Sequence, residues 1–142
     1  MNSPSPSLSP FALDPRLQAD THAVADLALS RLLLMDDRRW LWAILVPRRV
    51  GAAELTDLAQ TERAELAEEA AHVAAALRRI AGMEKTNVAT LGNVVRQFHL
   101  HVIARCEGDP NWPGPVWGYG AREPYAAGEA QALAAALREA LA

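Results

Sequence analysis

Two histidines two residues apart, His99 and His101, are the side chains of this sequence best suited to chemistry. They lie in the stretch NVVRQFHLHVIAR (93–105), whose apolar residues alternate as in a β-strand. Because successive side chains on a strand point to opposite faces, this pattern separates a polar face from an apolar one. The polar face carries Gln97, His99, His101 and Arg105, and the apolar face carries Phe98, Leu100 and Val102. We expect the polar face to bind or catalyse.

Three roles are open to this histidine pair. The rings could be structural, each hydrogen-bonded in a half-buried sheet. They could hold a metal ion, which needs further ligands, and the remaining candidates are His22, His72, Cys106 and scattered carboxylates. They could also act by nucleophilic catalysis, because a neutral imidazole attacks phosphorus near neutral pH and the phosphoramidate it forms is readily hydrolysed.

Helical patterns occur at three places in the chain. Asp14 before Pro15 resembles an N-cap with proline at the first helical position, which predicts a short helix. Apolar residues at helical spacing predict a long helix over 57–80, beginning with a capping box of Asp57 and Gln60 or with Thr61 as the cap, and ending before Gly82. A final helix is predicted from residue 128 onward.

Apolar runs of strand length predict the sheet. Residues 30–35 and 40–46 indicate an antiparallel hairpin, and residues 85–90 and 97–105 indicate two further strands. Strands before and after one long helix are typical of an α+β fold with a mainly antiparallel sheet. We expect a single domain over 11–142, preceded by a flexible Ser/Pro-rich arm over 1–10.

Bulk properties exclude several classes of protein. The net charge of -3 and pI near 5.8 argue against a nucleic-acid binder, which needs a basic surface. No apolar stretch approaches the roughly 20 residues of a membrane span. A lone Cys106 cannot form an intramolecular disulfide and no secretion signal is evident, so we expect a cytoplasmic protein.

The residues around the two histidines resemble a known motif. QFHLHVIAR is similar to the histidine triad, His-φ-His-φ-His-φ-φ, of the HIT family of nucleotide hydrolases and transferases, with Gln97 in place of the first histidine. LLLMDDRRWLWAILVPRR resembles the nucleotide-binding hairpin of that family, and KTNVATLGNVV resembles the strand and turn before its motif. DPNWPGPVWG resembles the tail of a bacterial branch, similar to diadenosine polyphosphate hydrolases. The resemblance covers most of residues 11–120.

This resemblance implies a HIT-like fold, a homodimer and a purine nucleotide conjugate as substrate. The chemistry requires no metal ion or organic cofactor, although a divalent ion could accompany a polyphosphate substrate. By position in the motif, the resemblance implies that His99 is the nucleophile that attacks the α-phosphate. It implies that His101 donates a hydrogen bond to a phosphate oxygen. Asn87 matches an asparagine beside the phosphates, and Asp36 or Asp37 matches a side chain that binds the ribose hydroxyls. The substrate would be a dinucleoside polyphosphate, a nucleoside phosphoramidate or another adenylated small molecule.

Two departures from the family pattern leave alternatives open. Gln97 cannot change its charge near neutral pH, so proton shuttling by the first histidine would be lost. Val94 and Val95 stand where many relatives place a small hydroxyl residue. The chain could therefore be a nucleotide-binding module with weak or no turnover, or, as a third hypothesis, a metal-dependent hydrolase.

Several neighbouring residues also allow a purely structural interpretation. Asn87 could satisfy a strand end, and the two aspartates are common turn formers. The two tryptophans of the Pro-rich loop, Trp112 and Trp117, could line the site or anchor the loop. Arg105 could contact a distal phosphate or end a strand in solvent.

Overall fold

The computed structural model describes residues 10–142, so most of the arm predicted over 1–10 lies outside the described residues. Eight regular elements follow one another along the chain. They are α1 (Pro15–Asp20), β1 (Thr21–Asp26), β2 (Ser30–Met35), β3 (Trp42–Pro47), α2 (Gln60–Ala81), β4 (Lys85–Ala89), β5 (Leu100–Arg105) and α3 (Glu129–Leu141). None of the helices within 10–142 combines the length and the apolar character that crossing a bilayer requires.

The five strands form one antiparallel sheet in the order β1-β2-β3-β5-β4. The strand β5, which carries His101, therefore lies between β3 and β4, and β4 forms an edge of the sheet. This arrangement confirms the predicted α+β fold with a mainly antiparallel sheet.

The two longer helices cover one face of this sheet. Leu66, Val73 and Leu77 of α2 are buried against it at helical spacing, and α3 adds Ala134 and Leu137. Strands β2, β3 and β5 contribute Leu32, Leu34, Ala43, Leu45 and Val102 to this main core. Burying this face leaves the opposite face of β5 for the histidines.

A second, smaller core lies on the face opposite the helices. Trp40, Trp42 and Ile44 pack there with Leu17 of α1 and Val116 from the loop before α3. The residues of β5 on this face are His101, Ile103 and Arg105, which alternate with Val102 and Ala104 of the main core. Indole rings therefore line the face of the sheet that carries His101.

The start of α2 differs from both sequence predictions. The helix begins at Gln60, and the Glu62 carboxylate accepts the backbone N–H of Ala59 at 2.8 Å. Asp57 instead closes a short 3-10 turn and accepts the N–H groups of Ala53 and Glu54, each at 2.9 Å. Asp57 therefore makes no capping box with Gln60, and Thr61 is not the cap. Gly82 ends the helix as predicted, with φ 60° and ψ 36°.

The strands that carry the motif are shorter than predicted. β4 ends at Ala89, and β5 begins at Leu100 instead of at residue 97. The Thr90 hydroxyl donates to the His99 carbonyl at 2.7 Å, and the Phe98 N–H donates to the Ala52 carbonyl at 2.9 Å. Because these partners satisfy the backbone in place of a strand neighbour, His99 lies just before β5. In the hairpin, β2 matches its predicted bounds, while β3 begins at Trp42 instead of at residue 40.

Candidate functional site

His99 and His101 lie together at the beginning of β5. His101 pairs with Ile44 of β3 on one side and with Ala89 of β4 on the other. The two imidazole rings have centroids 4.9 Å apart, and the residues are only 6% and 5% exposed. The structure therefore brings the two predicted catalytic histidines into direct contact in a largely buried setting.

His99 is oriented by the backbone two residues before it. Its Nδ1 lies 2.7 Å from the Gln97 carbonyl oxygen. A carbonyl only accepts hydrogen bonds, so Nδ1 carries the proton and the neutral ring keeps its lone pair on Nε2. That Nε2 has no hydrogen-bond partner within residues 10–142, and it is not one of the fully buried unpartnered atoms there, so it retains contact with solvent. The arrangement leaves a nucleophilic nitrogen available.

His101 is held neutral by its surroundings. Burial and, to a smaller extent, the neighbouring His99 lower its pKa to about 3. The Nδ1 of His101 accepts a hydrogen bond of 2.9 Å from the Trp42 indole N–H. The ring is therefore uncharged near neutral pH.

The side chain of Gln97 forms two hydrogen bonds with the segment that leads into α1. Its Nε2 donates to the Ala12 carbonyl at 2.9 Å, and its Oε1 accepts the Asp14 N–H at 2.8 Å. The backbone carbonyl of Gln97, by contrast, is the group that contacts His99. A catalytic role for the Gln97 side chain remains a prediction.

Asn87 lies on the same face of the sheet as the histidines. It pairs with Ile103, two residues along β5 from His101, in a register that also pairs Ala89 with His101. Its Oδ1 accepts a hydrogen bond of 3.0 Å from Arg105 Nη1. Because an arginine can only donate, the carboxamide is oriented with its NH₂ group turned away from Arg105 and available to donate elsewhere.

Arg105 is a buried structural residue, which differs from both roles considered from the sequence. The residue is 1% exposed, and its Nε and Nη2 form a bidentate pair with Asp109 at 2.8 and 2.7 Å. Its remaining hydrogens reach Asn87, the Gly114 carbonyl and the Pro110 carbonyl. All five guanidinium hydrogens are thus used within the protein, and Arg105 neither ends in solvent nor has a donor left for a phosphate.

The two aspartates of the β2–β3 turn have partners of their own. Asp37 is 2% exposed, and Arg39 binds its two oxygens at 2.9 and 2.7 Å. Burial opposes ionisation of Asp37, but hydrogen bonds from Arg39 outweigh it and lower the pKa of the carboxyl. Asp36 accepts the Tyr125 N–H at 3.1 Å and lies 3.0 Å from His22 Nε2. Within residues 10–142 no hydrogen bond joins either aspartate to His99 or His101, and ribose binding by either aspartate remains a prediction.

Aromatic rings surround His101. The Trp42 and Trp117 rings have centroids 5.6 and 5.2 Å from the His101 ring, whereas Trp112 lies 5.5 Å from the Arg105 guanidinium carbon. Trp117 therefore lines the site, and Trp112 anchors the loop. Trp42 was missed by the sequence analysis, which treated it only as part of an apolar strand. The available signal was its indole N–H, since the N–H of a buried tryptophan usually finds an acceptor.

The remaining candidate metal ligands lie at other contacts. His22 is beside Asp36, the Nε2 of His72 is 3.0 Å from the Leu141 carbonyl oxygen, and Cys106 is exposed. In the part of the chain that the structure describes, no group of three or more His, Cys, Asp or Glu side chains is arranged to hold a metal ion.

Comparison with known proteins gives concordant matches. A family model described as HIT domain matches residues 16–108. A histidine triad (HIT) protein from Sinorhizobium meliloti is 50% identical, with a TM-score of 0.88 over 91% of this chain and 96% of that one. A histidine triad protein from Bradyrhizobium japonicum is 41% identical, with a TM-score of 0.90 over 94% and 99% of the two chains. One from Marinobacter aquaeolei is 42% identical, with a TM-score of 0.89 over 93% and 96%. A search of functionally curated proteins gave no match.

Proposed function

From the fact that this chain belongs to the HIT domain family, we propose that it is a cytoplasmic hydrolase that attacks the α-phosphate of a purine nucleotide conjugate. Proteins of this family are in general nucleotide hydrolases or transferases. The observation that carries the proposal is the hydrogen bond from His99 Nδ1 to the Gln97 carbonyl, because it presents the lone pair of Nε2 beside a second, neutral histidine. This is the arrangement that nucleophilic catalysis by imidazole requires.

The reaction proceeds in two displacements. His99 Nε2 attacks the α-phosphorus, an N–P bond forms, and the bond between phosphorus and the leaving group breaks with its electron pair on the leaving group. Water then attacks the phosphorus of the nucleotidyl-histidine and gives up a proton to the solvent. An O–P bond forms, the N–P bond breaks with its electron pair returning to Nε2, and the nucleoside monophosphate is released. The Gln97 carbonyl stabilises the positive charge that the ring gains while its Nδ1 proton stays in place.

Two further side chains stabilise the phosphate during these steps. His101 donates a hydrogen bond to a nonbridging oxygen, where negative charge builds up. The Asn87 NH₂ group, oriented by Arg105, is a second donor on the same face of the sheet. Asp36 or Asp37 would bind the ribose, after giving up part of its present hydrogen bonding.

Gln97 indicates which leaving groups suit this site. A polyphosphate departs as a stable anion and needs no proton, whereas an amine departs only after protonation. An amide side chain already bound to Ala12 and Asp14 cannot supply that proton. We therefore expect a dinucleoside polyphosphate to be hydrolysed faster than a nucleoside phosphoramidate. In the Gln97→His variant the two hydrolysis rates should lie closer together.

The first experiment is a single-turnover incubation with diadenosine tetraphosphate labelled at its α-phosphates, followed by denaturation and a search for acid-labile label on His99. The wild type and the control variant His72→Ala should carry label, because within residues 10–142 the His72 ring hydrogen-bonds to the Leu141 carbonyl and not to the site. His99→Ala and His99→Gln should carry none while still unfolding cooperatively.

The binding-module alternative makes a different prediction. AMP would raise the melting temperature of the wild type, yet no label would appear and a panel of polyphosphates and phosphoramidates would remain intact. That outcome would overturn the hydrolase and leave nucleotide binding in its place.

A further inference from the structure

We propose that Trp42 is a positioning residue for this reaction: its indole N–H makes His101 a permanent hydrogen-bond donor toward the substrate phosphate. The inference deepens the proposed function and rests on it. Its structural basis is the 2.9 Å contact between Trp42 Nε1 and His101 Nδ1, two atoms contributed by neighbouring strands, β3 and β5.

The direction of this hydrogen bond follows from chemistry. An indole nitrogen carries a hydrogen and has no lone pair free to accept, so Trp42 can only donate. His101 Nδ1 must then be the acceptor, and in a neutral imidazole the proton lies on the other nitrogen, Nε2. Trp42 thereby selects one of the two tautomers that a neutral histidine can adopt.

The selected tautomer decides what His101 presents to the substrate. The Nε2 of His101 has no partner within residues 10–142 and is not among the fully buried unpartnered atoms there, so it faces accessible space. With its proton on Nε2, His101 donates to a phosphate oxygen. With its proton on Nδ1, it would present a lone pair to that oxygen and repel it. The nucleophile His99 shows the opposite arrangement, with Nδ1 protonated and Nε2 free.

Packing keeps the donor in place. Trp42 is 5% exposed and begins β3, where it pairs with Ile103. Its ring meets Trp40 on one side and Trp117 on another, at centroid distances of 6.1 and 6.2 Å. A ring confined in this way cannot rotate its N–H away from His101 without disrupting the second core. The packing of Trp42 therefore fixes the tautomer of His101.

The direct test is a ¹H–¹⁵N NMR spectrum of the His101 ring near neutral pH, in which protonated and unprotonated nitrogens differ strongly in chemical shift. In the wild type we expect the proton on Nε2 alone. In Trp42→Phe the spectrum should show both tautomers. This measurement needs no substrate and holds whether or not the enzyme turns over.

Trp112→Phe serves as the control for the loss of an indole. Trp112 packs on Arg105 in the loop before α3, so this substitution should leave the His101 tautomer unchanged. Melting temperatures of all variants separate lost packing from a changed tautomer.

Kinetics with a dinucleoside polyphosphate then test the functional consequence. Trp42→Phe should lower kcat in proportion to the fraction of His101 whose proton has moved to Nδ1, about twofold where the two tautomers are equally populated, with little change in KM. Trp112→Phe should keep the kcat of the wild type. A wild-type His101 with its proton on Nδ1, or a Trp42→Phe variant with an unchanged tautomer, would overturn the inference even if hydrolysis itself were established.

Discussion

At the scale of single residues, the environment of His101 makes stability depend on pH. Its pKa of about 3 in the folded protein lies below the ordinary value of 6.5, because burial disfavours the charged ring. Between these two pH values the unfolded chain binds a proton that the folded protein does not, so stability falls as the pH falls from 6.5 toward 3.

The expected size of this effect can be measured by urea unfolding at pH 7 and at pH 4.5. Between pH 7 and pH 4.5 the free energy of unfolding of the wild type should fall by about 2–3 kcal/mol more than that of His101→Gln, which has no ring to protonate. Equal losses in the two proteins would show that His101 titrates normally. An NMR titration of the ring gives the pKa directly.

Arg105 also acts at the residue scale, as the buried cation that joins β5 to the loop after it. Arg105→Met removes five hydrogen bonds and leaves the Asp109 carboxylate without its buried partner, so we expect a loss of about 3–5 kcal/mol. The matched control is Arg122→Met, because the pair of Arg122 with Asp20 is solvent-exposed and worth at most about 1 kcal/mol. Chemical denaturation of both variants measures the contrast, which a loss below about 1 kcal/mol in Arg105→Met would contradict.

At the scale of elements, Gln97 connects the motif to the segment that leads into α1. Gln97→Ala deletes both hydrogen bonds to this segment and should reduce stability by about 1–3 kcal/mol. Hydrogen exchange at the Asp14 N–H should accelerate, while exchange within β5 stays slow. Gln131→Ala, on the exposed side of α3, should change neither quantity. Unchanged exchange at Asp14 in Gln97→Ala would mean that other contacts hold the segment.

At the scale of the whole molecule, we propose that the homodimer implied by the family resemblance forms through an apolar groove between α2 and the edge strand β4. The groove has a volume of about 490 Å³ and is lined by Leu55, Arg63, Leu66, Ala67, Ala70, Ala71, Ala74, Thr86, Val88 and Leu100. Val88 is 50% exposed there, which is unfavourable for an apolar side chain at the edge of a sheet unless a second copy covers it.

Light scattering at micromolar concentration tests this assembly. The wild type should be a dimer, and Val88→Lys should be a folded monomer, because a lysine on an edge strand prevents pairing. Val50→Lys changes an equally apolar residue, 63% exposed and outside the groove, and should remain dimeric. A monomeric wild type would contradict the homodimer that the family resemblance implies.

Local sequence patterns determined most of the elements correctly. The bounds of β2, the short helix after Asp14 and the C-terminal helix all follow from periodicity or capping residues close by in the chain. The start of α2 was wrong because several adjacent residues can cap a helix, and the one used depends on the neighbouring turn. The start of β5 was wrong because the backbone of Phe98 and His99 bonds to Ala52 and Thr90 instead of to a neighbouring strand, which no local pattern reveals.

For the site, the sequence by itself determined which face of β5 carries the histidines, since alternation along a strand is a local property. The partners of those side chains were decided by the tertiary structure. Trp42 donates to His101 across 59 residues, and Gln97 holds Asp14 across 83. Arg105, polar by sequence, became the buried centre of a hydrogen-bond network. The physical reason is that a hydrogen bond requires atoms to meet within about 3 Å, and only the folded chain sets distances between residues so far apart in sequence.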